Sequence, residues 1–193
     1  LGPGGEFGEW ALVSDSELRR ASVRAASHCH LLAIHREDFA AAVSTSAQTA
    51  TPGDLEAALQ VLKTTVVRGR SLEATQVLDR VIRDAPIFAD CSKLLRTQLC
   101  QHAALHLVDH GEEVVPRGRS LDFFFLVLKG EVEMVIRLLD QDVVVFRVGA
   151  GNFFGDYGLQ QARELGPQQL LSGTLRASQD SQLLMLRGKA FHS

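Results

Sequence analysis

The chain of 193 residues is poor in cysteine: Cys29, Cys91 and Cys100 are the only three, at no metal-type spacing. An odd, sparse set points to a reducing, intracellular compartment and away from a disulfide-stapled secreted domain. Long apolar runs are also missing. The longest, such as FFFLVL at 123–128, is far too short to span a bilayer. The opening LGPGGEFGEW has neither the positive start nor the apolar stretch of a secretory signal. No charge sign dominates: the formal net charge is −3, which gives no global bias toward nucleic acid or anionic membrane. Neither a Gly-rich P-loop, a nucleophile elbow nor an HExxH pair occurs, so an enzyme is not expected. His28 and His30, two apart, fit surface positions beside a turn. His102, His106 and His110 fall across a helix end and a strand and need not converge. No metal or cofactor is expected from either set.

What the chain does have is a 46% hydrophobic fraction, enough for a buried core, and one motif written twice. LGPGGEFGEWAL at 1–12 aligns with VGAGNFFGDYGL at 148–159, pairing Gly8 with Gly155, Glu9 with Asp156 and Leu12 with Leu159. ASVRAASHCHLLAIHREDF at 21–39 then aligns with GTLRASQDSQLLMLRGKAF at 173–191. Ser22 pairs with Thr174, Arg24 with Arg176 and Ala25 with Ala177. Twenty steps separate Phe154 from Thr174, against fifteen from Phe7 to Ser22, so the second copy holds five extra residues between its halves. A cloning scar would not recur at residue 148, which marks Leu1 to Phe7 as native sequence.

Between the copies the periodicity is helical. Thr51-Pro52-Gly53-Asp54 supplies a hydroxyl cap, a first-turn proline and an acid three residues on. Leu55, Leu59 and Leu62 follow on one face. VVRGRS at 66–71 breaks the pattern. A second helix from Leu72 turns Leu78, Val81 and Ile82 inward and stops before Pro86, and a third covers about Ser92 to His102. From Ala104 short Val- and Phe-rich runs alternate with turns at Lys129-Gly130 and Asp140-Gln141-Asp142. That pattern fits a small antiparallel barrel or jelly roll closed by the second motif copy. Phe123 to Phe125 fit barrel core, since consecutive strand residues face opposite sides.

GGEFGEWAL…RRASVRA…CHLLAIHREDF resembles the second half of a cyclic-nucleotide-binding domain, and its ASVRA…C.L tail resembles hyperpolarisation-activated channels. GEEVVPRGRSLDFFFLVLKGEVEMV and FRVGAGNFFGDYGL are similar to the front and middle of the same domain. The resemblance implies an α+β fold: antiparallel β jelly-roll barrels with flanking and linking α-helices. It implies three units: 1–39 as the back half of a first domain whose front strands lie upstream, 40–85 as a helical linker, and 86–193 as a second domain. It also implies a regulatory module in the manner of protein kinase A regulatory subunits and cGMP-dependent kinases, with cAMP or cGMP as ligand. Binding at the first domain would be coupled to helix movement and to a protein effector. The alternative is a degenerate, non-binding scaffold in a larger cytoplasmic assembly, ciliary or cytoskeletal for example.

By the same resemblance, Gly8 allows close backbone approach and Glu9 accepts a ribose hydroxyl. The backbone at Ala11 and Leu12 holds phosphate oxygens, Arg19 in Arg19-x-Ala21-Ser22 meets the phosphate, and Ser22 adds a hydroxyl. Counting forward from Phe7 instead keeps Arg20 open as the phosphate partner. In the second copy Asp156 replaces Glu9, and Leu171 and Ser172 stand at the two arginine positions, so that domain is expected to keep the fold and lose the ligand. Arg163 in its longer loop is the one candidate substitute. LRRASVRA at 18–25 also has the form that a basophilic serine kinase modifies. The resemblance weighs against that use by placing Ser22 at the start of a core strand.

Overall fold

A computed structural model describes residues 1–3, 5, 7–8, 22–35, 38, 50–88, 90–119, 123–155 without 139–140, 171 and 173–187. The helices form where the caps direct them. Helix α1 (Pro52–Thr64) starts on Thr51, whose hydroxyl accepts the Asp54 N–H at 3.2 Å and donates to the Asp54 carboxylate at 2.6 Å. The Ser71 hydroxyl accepts the Ala74 N–H to cap α2 (Leu72–Ile82), and the Ser92 hydroxyl accepts the Leu95 N–H to cap α3 (Lys93–His102). A 3-10 turn, Pro86–Phe88, joins α2 to α3.

Among the described residues eight strands follow: β1 (Ala104–Val108), β2 (Glu113–Val115), β3 (Phe123–Lys129), β4 (Glu131–Leu138), β5 (Gln141–Gly149), β6 (Phe153–Phe154), β7 (Thr174–Ala177) and β8 (Ser181–Arg187). They make two antiparallel four-stranded sheets, ordered β1-β8-β3-β6 and β2-β7-β4-β5. The β4–β5 hairpin is tighter than the expected Asp140-Gln141-Asp142 turn. Leu138 already pairs with Gln141, so Gln141 and Asp142 are strand residues.

Two apolar clusters share β3 and β8. Phe125, Val127 and Leu183 turn inward with Val132, Val148, Leu175 and Ala177 to fill the barrel. Phe124, Leu126, Leu128, Leu184 and Leu186 turn outward and meet Leu55, Leu59, Leu62, Leu78, Val81 and Ile82 of α1 and α2. The three phenylalanines thus divide as strand alternation demands. Phe124 packs edge-on against Phe88 at 5.0 Å and stacks on Phe153 at 5.6 Å. The helices expected as a linker therefore pack on the outer face of the barrel.

The VVRGRS break has a structural task that the sequence did not disclose. Arg70 is buried, and its guanidinium donates to the carbonyls of Cys100 (2.9 Å) and Gln101 (3.2 Å) and to the Thr65 hydroxyl (2.9 Å). A cation thus sits on the open carbonyls of the last turn of α3, where the helix dipole favours it. Burial lowers the pKa of Arg70 from its ordinary value. Arg96 ties α3 to α2 through Asp79 at 2.7 Å. Beneath this lid the Cys100 thiol is pushed up to about 12, chiefly by burial.

Two predictions follow from this packing. Phe124→Ala removes an aromatic contact from both sides of the helix–sheet interface and should cost about 3–5 kcal/mol in urea unfolding; a loss below about 1 kcal/mol would show that the outer face is not a packed core. Thiol labelling of the native chain at pH 8 should modify exposed Cys29 quickly and leave Cys100 unmodified until denaturant is added, because Cys100 stays protonated and covered.

Candidate nucleotide site

The second motif copy enters the barrel by close backbone contact. Gly151 N–H donates to the Val127 carbonyl at 2.8 Å, and Val127 N–H donates to Asn152 at 2.9 Å. Phe153 and Phe154 then pair with Leu126 and Phe125 of β3. Gly155 follows at φ +95°, and a Cβ there would overlap the Phe123 carbonyl oxygen. Only glycine satisfies both conditions.

Its counterpart Gly8 has the same φ, +95°, but nothing lies within 4 Å of where its Cβ would be. The two copies share the turn conformation and differ in whether a strand lies against it. Residues 22–35, with Val23, Leu31, Leu32 and Ile34 among them, are exposed and form no strand. Ser22, placed by the resemblance at the start of a core strand, is exposed. No strand among the described residues pairs with it. His28 and His30 are exposed beside the bend at Ala26-Ser27, ring to ring at 5.2 Å.

Of the expected ligand residues, Gly8 and Ser22 are described and exposed. Glu9, Ala11, Leu12, Arg19, Arg20 and Ala21 lie outside the described residues, as do Asp156, Arg163 and Ser172 of the second copy.

The far edge of the second cradle is described. Leu171, at the Arg19 position, packs its side chain against the inner barrel cluster. Its N–H donates to the Arg119 carbonyl at 3.0 Å, and its carbonyl accepts the Gly118 N–H at 2.9 Å. Gly173, at the Ala21 position, has no room for a methyl group: a Cβ would lie 2.5 Å from the Val135 carbonyl oxygen and 2.8 Å from Ile136 Cγ2. The Thr174 hydroxyl accepts the Arg117 N–H at 3.2 Å.

Arg176, the counterpart of Arg24, is held as framework. It donates to the buried Glu133 carboxylate at 2.9 Å and to Asp142 at 3.1 Å, and the Glu133 hydrogen bond raises its pKa. Arg147 reaches the other Glu133 oxygen at 3.3 Å. These contacts stitch β4, β5 and β7 together on the outside of the barrel, a network that sequence spacing gave no reason to expect. His102 accepts from Arg68 at 3.4 Å, His106 lies 5.9 Å from the Phe125 ring inside the barrel, and His110 is in the turn after β1. Among the described residues no group of three metal-ligating side chains converges, and no helix is long and apolar enough to cross a membrane.

The family described as "Cyclic nucleotide-binding domain" matches residues 106–193. Residues 106–193 carry the sequence pattern and the fold of a cyclic nucleotide-binding domain. Over 158 residues, 82% of the chain, it is 27% identical to cAMP-dependent protein kinase regulatory subunits of Mycosarcoma maydis and Yarrowia lipolytica. It spans 25% and 35% of their lengths. A cGMP-dependent protein kinase of Drosophila melanogaster is 24% identical over 80% of the chain and 14% of its own length. The fold is similar to the regulatory domain of Toxoplasma gondii PKA solved with cAMP (TM-score 0.55, 17% identity, 65% of this chain and 46% of that one). It is also similar to the sensor domain of the transcriptional regulator DNR from Pseudomonas aeruginosa (TM-score 0.52, 20% identity, 63% and 78%).

The two glycines of the repeat give a paired test. Gly155→Ala should lower the stability of the cyclic nucleotide-binding domain by at least about 1–3 kcal/mol, measured by thermal or urea unfolding. Gly8→Ala should leave that transition within about 0.5 kcal/mol of wild type. Equal effects would mean that Gly155 is not pressed against β3.

Proposed function

We propose that the chain is a cyclic-nucleotide-responsive regulatory module of tandem design, in which the first copy carries the ligand site and the second keeps the barrel alone. The observation that carries this reading is Leu171. At the place where the first copy offers Arg19, the second inserts an aliphatic side chain into the barrel's apolar cluster. A charged hydrogen bond to phosphate contributes roughly 1.5–3 kcal/mol, and its loss weakens binding about ten- to hundred-fold. Further support comes from the length of the similarity: 158 aligned residues cannot fit within 106–193, so the kinship to kinase regulatory subunits extends into the helices.

In this reading 1–39 is the back half of a first domain completed by strands before Leu1. Glu9 takes the ribose hydroxyl, the backbone at Gly8, Ala11 and Leu12 with Arg19 takes the phosphate, and Ala21-Ser22 closes the edge. The ligand is cAMP or cGMP. Because α1 and α2 follow the first copy and pack on the second barrel, ligand-driven movement of the first copy would bear directly on that interface. The output is control of a protein effector. A scaffold reading is favoured by one observation: Arg176 of the second motif copy is tied into the Glu133 and Asp142 carboxylates and not free for a ligand.

Calorimetry on the first domain completed upstream separates the two. Wild type should bind cAMP or cGMP, and Arg19→Ala should weaken binding by about ten-fold or more. Absence of binding in wild type would favour the scaffold, and loss in Arg20→Ala alone would move the phosphate contact by one residue. A separate 86–193 domain should show no micromolar binding.

A further inference from the structure

We propose that Arg117 and Arg119, in the loop between β2 and β3, form a methylation site for a protein arginine methyltransferase that draws on a sulfonium methyl donor. The modification stands whether or not the first motif copy binds a nucleotide.

One short peptide is written twice in the chain. VVRGRSL occupies 66–72, and VVPRGRSL occupies 114–121. Arg-Gly-Arg sets two guanidinium groups on either side of a residue with no side chain, so an enzyme wall can come close to the backbone between them. The guanidinium is always charged in water and is a poor nucleophile there. It reacts only inside a carboxylate-lined pocket that grips the whole fork in paired hydrogen bonds, which requires its N–H groups to be free.

The fold treats the two copies differently. At 68–70 it uses the cations. Arg70 is buried, and its guanidinium donates to the Thr65 hydroxyl and to the carbonyls of Cys100 and Gln101. Arg68 donates to His102 at 3.4 Å. A Cβ at Gly69 would lie 2.8 Å from Val66 Cγ2, so that glycine has a neighbour against it.

At 117–119 the fold holds the backbone and leaves the side chains out. Arg117 N–H donates to the Thr174 hydroxyl, Gly118 N–H to the Leu171 carbonyl and Arg119 N–H to the Pro116 carbonyl. Pro116, Arg117, Gly118 and Arg119 are all exposed. Among the described residues neither guanidinium has a hydrogen bond or an ion pair. Gly118 sits at φ +76°, and nothing lies within 4 Å of where its Cβ would be, so the loop is open between the two arginines. The same tripeptide is thus presented once and buried once.

In the reaction a terminal guanidinium nitrogen attacks the methyl carbon of S-adenosylmethionine. The carbon–sulfur bond breaks, its electron pair neutralises the sulfonium, and S-adenosylhomocysteine leaves. A proton from the attacking nitrogen passes to a carboxylate of the enzyme. The side chain remains a cation but loses a donor, which blocks its paired grip on a carboxylate. A methylated cation suits an aromatic cage instead.

The test incubates the intact 193-residue chain with an arginine methyltransferase that accepts Arg-Gly-Arg sequences and with methyl-labelled S-adenosylmethionine, read by peptide mass spectrometry. Synthetic peptides covering 112–123 and 64–75 give the labelling of each motif freed from the fold. Both peptides should be labelled. In the chain, label is expected on Arg117, Arg119 or both, while Arg70 should react at least about ten-fold more slowly than in its peptide. Replacing Arg117 and Arg119 together by Lys keeps the charge, removes the fork and should abolish label at 117–119. The methylated chain should unfold at the same urea midpoint as the unmodified one. Labelling of the 112–123 peptide but not of the chain would refute the accessibility of the loop, and labelling of neither would refute the motif. Equal labelling of Arg70 and Arg119 in the chain would show that exposure does not select the site. A lowered midpoint would show that these side chains hold the fold, against the freedom on which the site rests.

Discussion

Strands β3 and β8 are buried on both faces, and the rest of the molecule is arranged around that fact. A strand with one wet face can slide or fray at modest cost; one with two packed faces fixes its register twice. The inward residues Phe125, Val127 and Leu183 fill the barrel, and the outward residues Phe124, Leu126, Leu184 and Leu186 hold α1 and α2. A fully buried side chain of this size contributes roughly 1.5–3 kcal/mol, so neither layer is dispensable. The helices are consequently bound to the same two strands that form the barrel wall.

This arrangement bears on how a signal could pass. Gly155 presses its backbone on Phe123, at the start of β3, so the entrance to the second cradle and the helix-bearing strand are in direct contact. Arg70 locks the far end of α3 to the loop between α1 and α2. Movement at either end has a short, packed route to the other. The second barrel keeps this route, with Leu171 packed against its inner cluster at the position that Arg19 holds in the first motif copy.

Much of the fold was legible in the sequence because its signals are local. Thr51, Ser71 and Ser92 cap three helices where hydroxyls precede apolar periodicity. Gly130 turns the β3–β4 hairpin, and Val- and Phe-rich runs supply the strands. The repeat was legible because identical φ values at Gly8 and Gly155 demand the same residue. Less was legible where partners are distant in sequence. Arg70 finds carbonyls thirty residues away. Glu133 draws Arg147 and Arg176 from two other strands. Neither pairing leaves a periodic trace. The packing of the 52–82 helices on the barrel was hidden for a related reason: an amphipathic helix shows that it has a partner but does not say which.

Native-state hydrogen exchange, followed by mass spectrometry, tests the central claim most directly. If α1 and α2 are held by the outer face of β3 and β8, the amides of 52–82 should exchange with the same opening free energy and denaturant dependence as those of 123–129 and 181–187. Exchange of the helices through a separate, lower-energy opening, with the barrel still protected, would contradict it and make the helical stretch an independent linker.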